Sequence, residues 1–561
     1  MDNIKRAFRL FAILLGLLQA WALQNQYYGD IISYIEIGEA YLHGDFNSAI
    51  NGYCSPLYSW ILAVFLSFSR PSPYWEYPFT IFINFLIYLF TLICFEYFLK
   101  EFIRYLNKNS NNSLNTFQEK ELTILGYILF IYSSLVMITV LSTTPDLLVS
   151  AFIYLIAGIL LQFKPGTASK KKYIIFGLIL GFSYLAKAVM FPMVFIFLLV
   201  GYFLVRGLRQ KLSYLILSLI TFCLISSPFI FALSKEKGHL TFSEVGKLNY
   251  LWRSTKFPEK WDWYDRVPFS SGKPVHLMKK IFDNPTIFKF QNEFRNATYP
   301  PAYDISYWYD GAKLQFDLKE QINALISNIH IYYYIFIYSQ KELFIIFIFL
   351  FYLTGQKIIC LKNILKNWFL ILPSLCVFFM YSLIVVEERY LGGYVVLLWL
   401  SLFSGISLKS KEDSKHVLSC SVLTILTVML IRFTCMGFDY LSLTAQNLNL
   451  GKNANRMWCV ANELKKLGLK EGDNVATFID ETNQYWARIG RFRIISEIPL
   501  NEETKDFWES NQTKIPEIIK TIAKTGAKVI VTENIPTPLL REAKQKGWRT
   551  LGNTNYFALF L

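Results

Sequence analysis

Charged side chains are scarce in this chain. Asp, Glu, Lys and Arg make up 17% of its 561 residues, against roughly 25% in an ordinary soluble domain. A soluble protein of this length would form several domains with water-facing surfaces, and so few charges could hardly cover them. Histidine is rarer still: five scattered residues, which argues against a His-based metal site. No CxxC, HExxH, Walker-type phosphate loop or GxGxxG occurs, so the common redox, zinc-protease and nucleotide-binding signatures are missing. Of eight cysteines, Cys94, Cys223, Cys360, Cys376, Cys420 and Cys435 lie in or beside apolar runs, where cysteine behaves as a small apolar residue. Only Cys54 and Cys459 fall outside, and no disulfide framework surrounds them. From Gln24 to Ser69 there is no Lys or Arg at all.

Apolar residues, by contrast, make up 53% of the chain. A helix crossing a hydrocarbon core needs about 17 to 25 apolar residues. Eleven runs are read as spans, at 7–24, 78–99, 121–142, 146–163, 173–187, 189–205, 213–233, 340–355, 368–386, 390–408 and 416–436; the fifth is short and glycine-rich, with Gly177 and Gly181. The first is read as a retained span and not a cleaved signal, because its apolar run is long and no small-residue cleavage site precedes Gln24. Positive residues favour the cytoplasmic loops. With the N-terminus inside, the cytoplasmic segments hold Lys5, Arg6 and Arg9; Lys100, Arg104, Lys108 and Lys120; Lys164 and Lys170 to Lys172; Arg206, Arg209 and Lys211; Lys357, Lys362 and Lys366; and Lys409, Lys411 and Lys415. The alternation holds when Pro56 to Phe68 lies as an outer juxtamembrane helix. It accounts for much of the +15 net charge as topology, and no basic stripe on a folded domain points to nucleic acid. The 35 Tyr and 49 Phe suit lipid-facing and interfacial positions.

Two soluble pieces then fall outside, a loop at 235–338 and the C-terminal part at 437–561. In the latter, Trp458 to Leu467, Pro516 to Lys524 and Pro538 to Gln545 read as helices. Asn474 to Ile479, Phe492 to Ile498, Lys528 to Thr532 and Tyr556 to Phe560 read as strands. The alternation predicts a small, mostly parallel sheet.

Charged groups at a membrane surface are costly and therefore candidates for function. Four sets fall on the outer face. Asp30 lies six residues past the first span and shares a helix face with Tyr34, while Glu36 points elsewhere and Glu39 follows. Asp30 could also simply cap a helix. Thr143-Thr144-Pro145-Asp146 is a good helix start in its own right, with Thr143 or Thr144 as the cap. Lys187, alone between two apolar runs, could snorkel to head groups or hold a phosphate. Glu387-Glu388-Arg389-Tyr390 suits an outer anchor, an ion-paired scaffold or bidentate phosphate recognition. Carboxylates with Lys and Arg on one outer face suit a lipid-phosphate substrate, whose anion is held while a hydroxyl is deprotonated. A coupled transporter would more often bury its charges near mid-membrane.

These residues resemble the GT-C integral-membrane glycosyltransferases, particularly the protein mannosyltransferase and aminoarabinose transferase branch, glycosyltransferase families 39 and 83. The matching residues are Asp30, Tyr34, Ala40 and Gly44-Asp45, leading to Gly52 and Ser55-Pro56-Leu57-Tyr58. Pro145-Asp146, the Gly181 to Lys187 segment and Arg389-Tyr390 follow. The first loop departs from that branch, with a lone Asp30 followed by Ile31 where relatives carry an Asp-Glu pair. Whether Glu36 or Glu39 takes the second carboxylate's role stays open. The resemblance implies an inverting transferase that takes a monosaccharide from a polyprenyl-phosphate donor on the non-cytoplasmic face. Its acceptor would be lipid A, a surface glycan, a glycolipid or a protein. It further implies Asp30 as general base, Asp146 shaping the acceptor and sugar site, Lys187 and Arg389 on the donor phosphate, and Tyr390 beside it. A divalent cation shared by Asp30 and Asp146, as in oligosaccharyltransferases, is an open possibility. The outer loop offers Tyr303, Asp304 and Trp308 as sugar contacts or as an interfacial surface. Its Trp308-Tyr309-Asp310-Gly311 resembles the WWDYG signature of oligosaccharyltransferases, but lies between spans and is read as coincidence.

The sequence thus predicts a multi-pass α-helical membrane protein of about eleven spans with the GT-C fold. Its transmembrane domain covers 1–436, with outer loops at 25–77 and 235–338, and a C-terminal soluble α/β domain covers 437–561. The expected location is a bacterial inner or plasma membrane, with the N-terminus cytoplasmic and the C-terminal domain outside. The competing reading is a flippase or transporter of lipid-linked sugars without transfer chemistry.

Overall fold

The computed structural model describes residues 2–28, 30–109, 116–163, 169–254, 278–290, 297–303, 314, 316–408, 411–478, 484–498, 507–508 and 514–561. The chain divides into two compact units. The first comprises Met1–Leu23, Ile81–Thr255 and Phe316–Leu443; the second comprises Gln24–Thr80, Lys256–Gln315 and Thr444–Leu561.

The first unit is helical. All eleven apolar runs form helix: Asp2–Ala22, Glu76–Asn109, Glu119–Tyr132 continued by a π-turn at Ser133–Ile138, Asp146–Phe163, Lys170–Ala186, Met190–Leu204, Leu208–Lys237, Lys341–Leu353, Trp368–Ser382, Glu388–Ser404 and Lys411–Leu450. Among the described residues, five helices are long and apolar enough to cross a membrane, and up to seven if each of two bent pairs counts as one span. The others fall short of the eleven expected for physical reasons. Lys170–Ala186, Met190–Leu204 and Glu388–Ser404 have at most 17 residues. Asp2–Ala22 carries Lys5, Arg6 and Arg9. Arg9 donates from Nε and Nη2 to both oxygens of Glu96 at 2.7 Å, so the two charges are paired.

Two helices of this unit approach closely. Gly177 and Gly181 sit one turn apart on Lys170–Ala186. A Cβ at Gly177 would overlap the Ser218 carbonyl and the Thr221 hydroxyl, and one at Gly181 would strike Ile225, all on Leu208–Lys237. Small residues four apart let two helix backbones meet where lipid supplies no hydrophobic drive between them. The run that reads as short and glycine-rich is thus a packing face.

The second unit is built on a seven-stranded sheet in the order β1-β2-β4-β3-β5-β7-β6. Its strands are β1 Met278–Asp283, β2 Thr286–Phe290, β3 Asn474–Phe478, β4 Arg493–Glu497, β5 Val529–Glu533, β6 Arg549–Thr550 and β7 Tyr556–Phe560. Only β3–β4 and β3–β5 pair in parallel; the other four pairings are antiparallel. This corrects the mostly parallel sheet expected from the C-terminal alternation. The β1–β2 hairpin, from the large loop, extends the β4 edge, and β7 returns antiparallel beside β5. The core behind the sheet joins Phe478, Phe507, Trp508, Ile518, Ile522, Ile530 and Trp548 with Ile287 of β2. The sheet therefore draws on two distant stretches of chain. Ile31–Leu42 and Pro56–Ser69 pack in the same unit, with Gly38 close against the Ser59 carbonyl.

Candidate active site

In the first unit the helix Asp146–Phe163 begins with its carboxylate inward. Asp146 is only 2% exposed at the side chain, and three groups converge on it. Lys187 Nζ donates to Oδ1 at 2.5 Å, Thr144 Oγ1 donates to Oδ2 at 2.7 Å, and Arg389 Nη1 lies 3.7 Å from Oδ2. The Thr144 hydroxyl bonds the carboxylate and does not accept from a helix N–H as a cap would, because a buried anion is the stronger acceptor.

Lys187 reaches Asp146 because it occupies the break between Lys170–Ala186 and Met190–Leu204, in extended conformation at φ −155°, ψ 131°. Arg389 stands in the first turn of Glu388–Ser404 and donates from Nε to Glu387 at 2.6 Å. Tyr390 joins the two cations. Lys187 Nζ lies 3.6 Å from its ring centroid, Arg389 lies 5.1 Å from it, and Tyr381 stacks behind at 5.0 Å. One buried carboxylate thus holds two cations side by side on opposite oxygens, against an aromatic wall. Such an arrangement preorganises positive charge and can receive a phosphate.

Asp146 does not fit a divalent ion: its two oxygens are engaged by a lysine, an arginine and a hydroxyl. Among the described residues no group of three or more His, Cys, Asp or Glu is arranged to hold a metal.

The second unit holds Asp30, Tyr34, Glu36, Glu39 and Tyr303. Asp30 precedes Ile31–Leu42 and is partly exposed; its side chain makes no capping bond to that helix. Tyr34 packs edge-on to Tyr58, with ring centroids 5.0 Å apart, beside a small core of Ile37, Cys54, Ala297 and Tyr303. Tyr303 is buried; its hydroxyl donates to the Ser48 carbonyl, and its own carbonyl accepts from Asn51. Asp304 and Trp308 lie outside the described residues.

Glu36 and Glu39 face a group that sequence reasoning missed. Glu36 is fully buried, and its Oε1 accepts the Thr298 N–H at 2.8 Å. Arg488, 2% exposed, donates from Nη1 to Glu39 Oε2 at 2.9 Å and from Nε and Nη2 to the two oxygens of Glu76 at 3.0 Å. Its Nη1 lies 3.5 Å from Glu36 Oε1, and Arg491 donates to Glu76 at 2.8 Å. Burial, opposed in part by Arg488, pushes the Glu36 carboxyl up to about 7. Burial works against the Arg488 charge too, but Glu76 and Glu39 outweigh it and hold its pKa well above the ordinary value. One signal for this group was present in the sequence: Arg488 is the single charge in the otherwise apolar run Tyr485-Trp486-Ala487-Arg488-Ile489.

Comparison with known proteins leaves the chain without a family model or a curated relative. It is similar to solved structures at low identity. Against ArnT from Cupriavidus metallidurans in the apo state the TM-score is 0.49 at 11% identity, covering 98% of this chain and 97% of that one. For ArnT from the same organism bound to undecaprenyl phosphate the values are 0.45 and 11%, with 100% and 98% coverage. For the Archaeoglobus fulgidus oligosaccharyltransferase in complex with Zn and sulfate they are 0.46 and 12%, with 94% of this chain and 68% of that one.

Proposed function

We propose that this membrane protein is a glycosyltransferase. It moves a monosaccharide from a polyprenyl-phosphate donor to a cell-envelope acceptor on the non-cytoplasmic face, with eleven helices forming its membrane part. The observation that carries the reading is the Asp146 cluster, two cations aligned by one buried carboxylate. The resemblance of Asp30, Pro145-Asp146, Lys187 and Arg389-Tyr390 to the GT-C pattern supports it.

In this reading the acceptor hydroxyl gives its proton to Asp30 as its oxygen attacks the anomeric carbon. The bond from that carbon to the phosphate oxygen breaks, and polyprenyl phosphate leaves with the electron pair. Attack opposite the leaving group inverts the anomeric centre. Negative charge grows on the phosphate as the bond breaks, so donors already aimed there stabilise the transition state more than the ground state. Lys187 and Arg389 are those donors. Asp146, engaged on both oxygens, aligns them, and Tyr390 limits where Lys187 can swing.

The test is transfer of a radiolabelled sugar from a defined polyprenyl-phosphate donor by the detergent-solubilised protein. A new glycosidic product, lost in Asp30→Asn with folding intact, is the expected result. Movement of the lipid-linked sugar across vesicles with no product would establish the flippase reading, and near-normal transfer by Asp30→Asn would remove Asp30 as the base.

A further inference from the structure

Asp30 is flanked in sequence by two anchors, and both end on one six-residue helix, Tyr485–Gly490. Upstream, the Tyr27 ring lies between Tyr77 and Tyr485, with centroids 4.4 and 4.1 Å away, and its hydroxyl donates to Asn455 at 2.8 Å. Downstream, Glu36 and Glu39 meet Arg488. Tyr485 and Arg488 are three apart on that helix and share a face. The same Arg488 also holds Glu76, and Tyr485 also contacts Tyr77, with centroids 5.2 Å apart. All these residues belong to the second unit.

We propose that Arg488 is a positioning residue for Asp30: its bidentate pairs with Glu39 and Glu76, beside the Tyr27–Tyr77–Tyr485 stack, hold the Ile31–Leu42 helix so that Asp30 stays aimed at its proton. The inference rests on the reading of Asp30 as general base. A base at the start of a short helix loses most of its effect if that helix swivels by about an ångström. A planar guanidinium fork, paired on two edges and out of water, resists swivelling in a way that a lysine ammonium cannot. The sheet domain thereby acquires a task in the reaction without touching substrate.

The experiment compares Arg488→Lys with the parent in full-length protein. It reads kcat per monodisperse enzyme, the donor KM, and deuterium uptake of residues 31–42. Positioning predicts a fall in kcat of about tenfold or more, a donor KM within about twofold, and faster exchange of 31–42. Unchanged kcat, unchanged exchange, or a donor KM that rises as much as kcat falls would overturn it. If Arg488→Lys does not fold, Glu39→Gln leaves the Glu76 pair in place and is expected to act in the same direction more weakly; wild-type kcat in that variant overturns the proposal. Asp30→Asn measured alongside separates the two readings. Near-normal activity there removes the base itself, whereas an inactive Asp30→Asn with an indifferent Arg488→Lys removes only the positioning role.

Discussion

Lys187 and Arg389 are held on opposite oxygens of Asp146, so removing either cation leaves its partner in place. Lys187→Gln or Arg389→Gln is expected to raise the donor KM about tenfold, the order of one charge-assisted hydrogen bond, with the acceptor KM within about twofold. Steady-state kinetics with each substrate varied in turn checks this; equal effects on both substrates would mark the pair as scaffold only. Glu36 makes a different prediction. With its carboxyl raised to about 7 from an ordinary value of 4.5, the folded protein keeps a proton that the unfolded chain releases between those values. Stability contributed by this group is therefore full below about pH 4.5 and is lost as pH rises through 7, a difference of about 3 kcal/mol at most. Melting curves in detergent at pH 5 and pH 8 should show the parent losing more stability than Glu36→Gln, which has no proton to lose; parallel losses would count against it. The ion-paired residues of the first unit stood out in the sequence, Asp146 and Lys187 as single charges between apolar runs and Arg389 at a run's start beside Glu387 and Glu388. Tyr381 and Glu76 did not, because a tyrosine inside an apolar run and an acid at a helix start look ordinary until their neighbours are known.

The helices of the first unit follow the hydrophobic runs closely, as an uninterrupted apolar stretch in lipid must satisfy its own backbone. Their packing was less legible. Gly177 and Gly181 look like weak helix positions, yet they let Lys170–Ala186 sit directly on Leu208–Lys237. Gly177→Leu is expected to force the pair apart and to lower the melting temperature of the purified protein by several degrees, the cost of overpacking being about 1–3 kcal/mol. An unchanged melt would show that the contact can relax at no cost. Lys187 sits at the break that follows the first of these helices, so the same variant is expected to reduce transfer activity as well. In the second unit four strands of the C-terminal part, β3, β4, β5 and β7, were read from their patterns within a residue or two, whereas the two-residue β6 was missed. The β1–β2 hairpin was missed too, because Met278–Phe290 carries Lys279, Lys280, Asp283 and Lys289 and reads as polar loop until β4 supplies its partner.

At the level of the whole molecule the sheet depends on chain from outside the C-terminal part. It takes β1 and β2 from the large loop, and Arg488 takes its counter-ions from Glu36, Glu39 and Glu76. Residues 444–561 expressed alone would leave Arg488 buried without those carboxylates, at a cost of about 3–5 kcal/mol, and would leave the β4 edge open. The fragment is expected to lack a cooperative thermal transition by circular dichroism. A sharp melt matching that of the full protein would show the C-terminal part to be self-sufficient.

Read as a string, the chain already shows helices apolar enough for a membrane, roughly where they run, and which few charges stand in apolar surroundings. Each of these is a local property, set by composition and periodicity. The folded chain was needed to show that Lys187 and Arg389 share one carboxylate, that the sheet is mixed, and that Arg488 meets acids more than 400 residues earlier in the chain. These are pairings between distant segments. A buried charge must find its counter-ion somewhere, but burial and partner are set by the fold, and no local pattern records either.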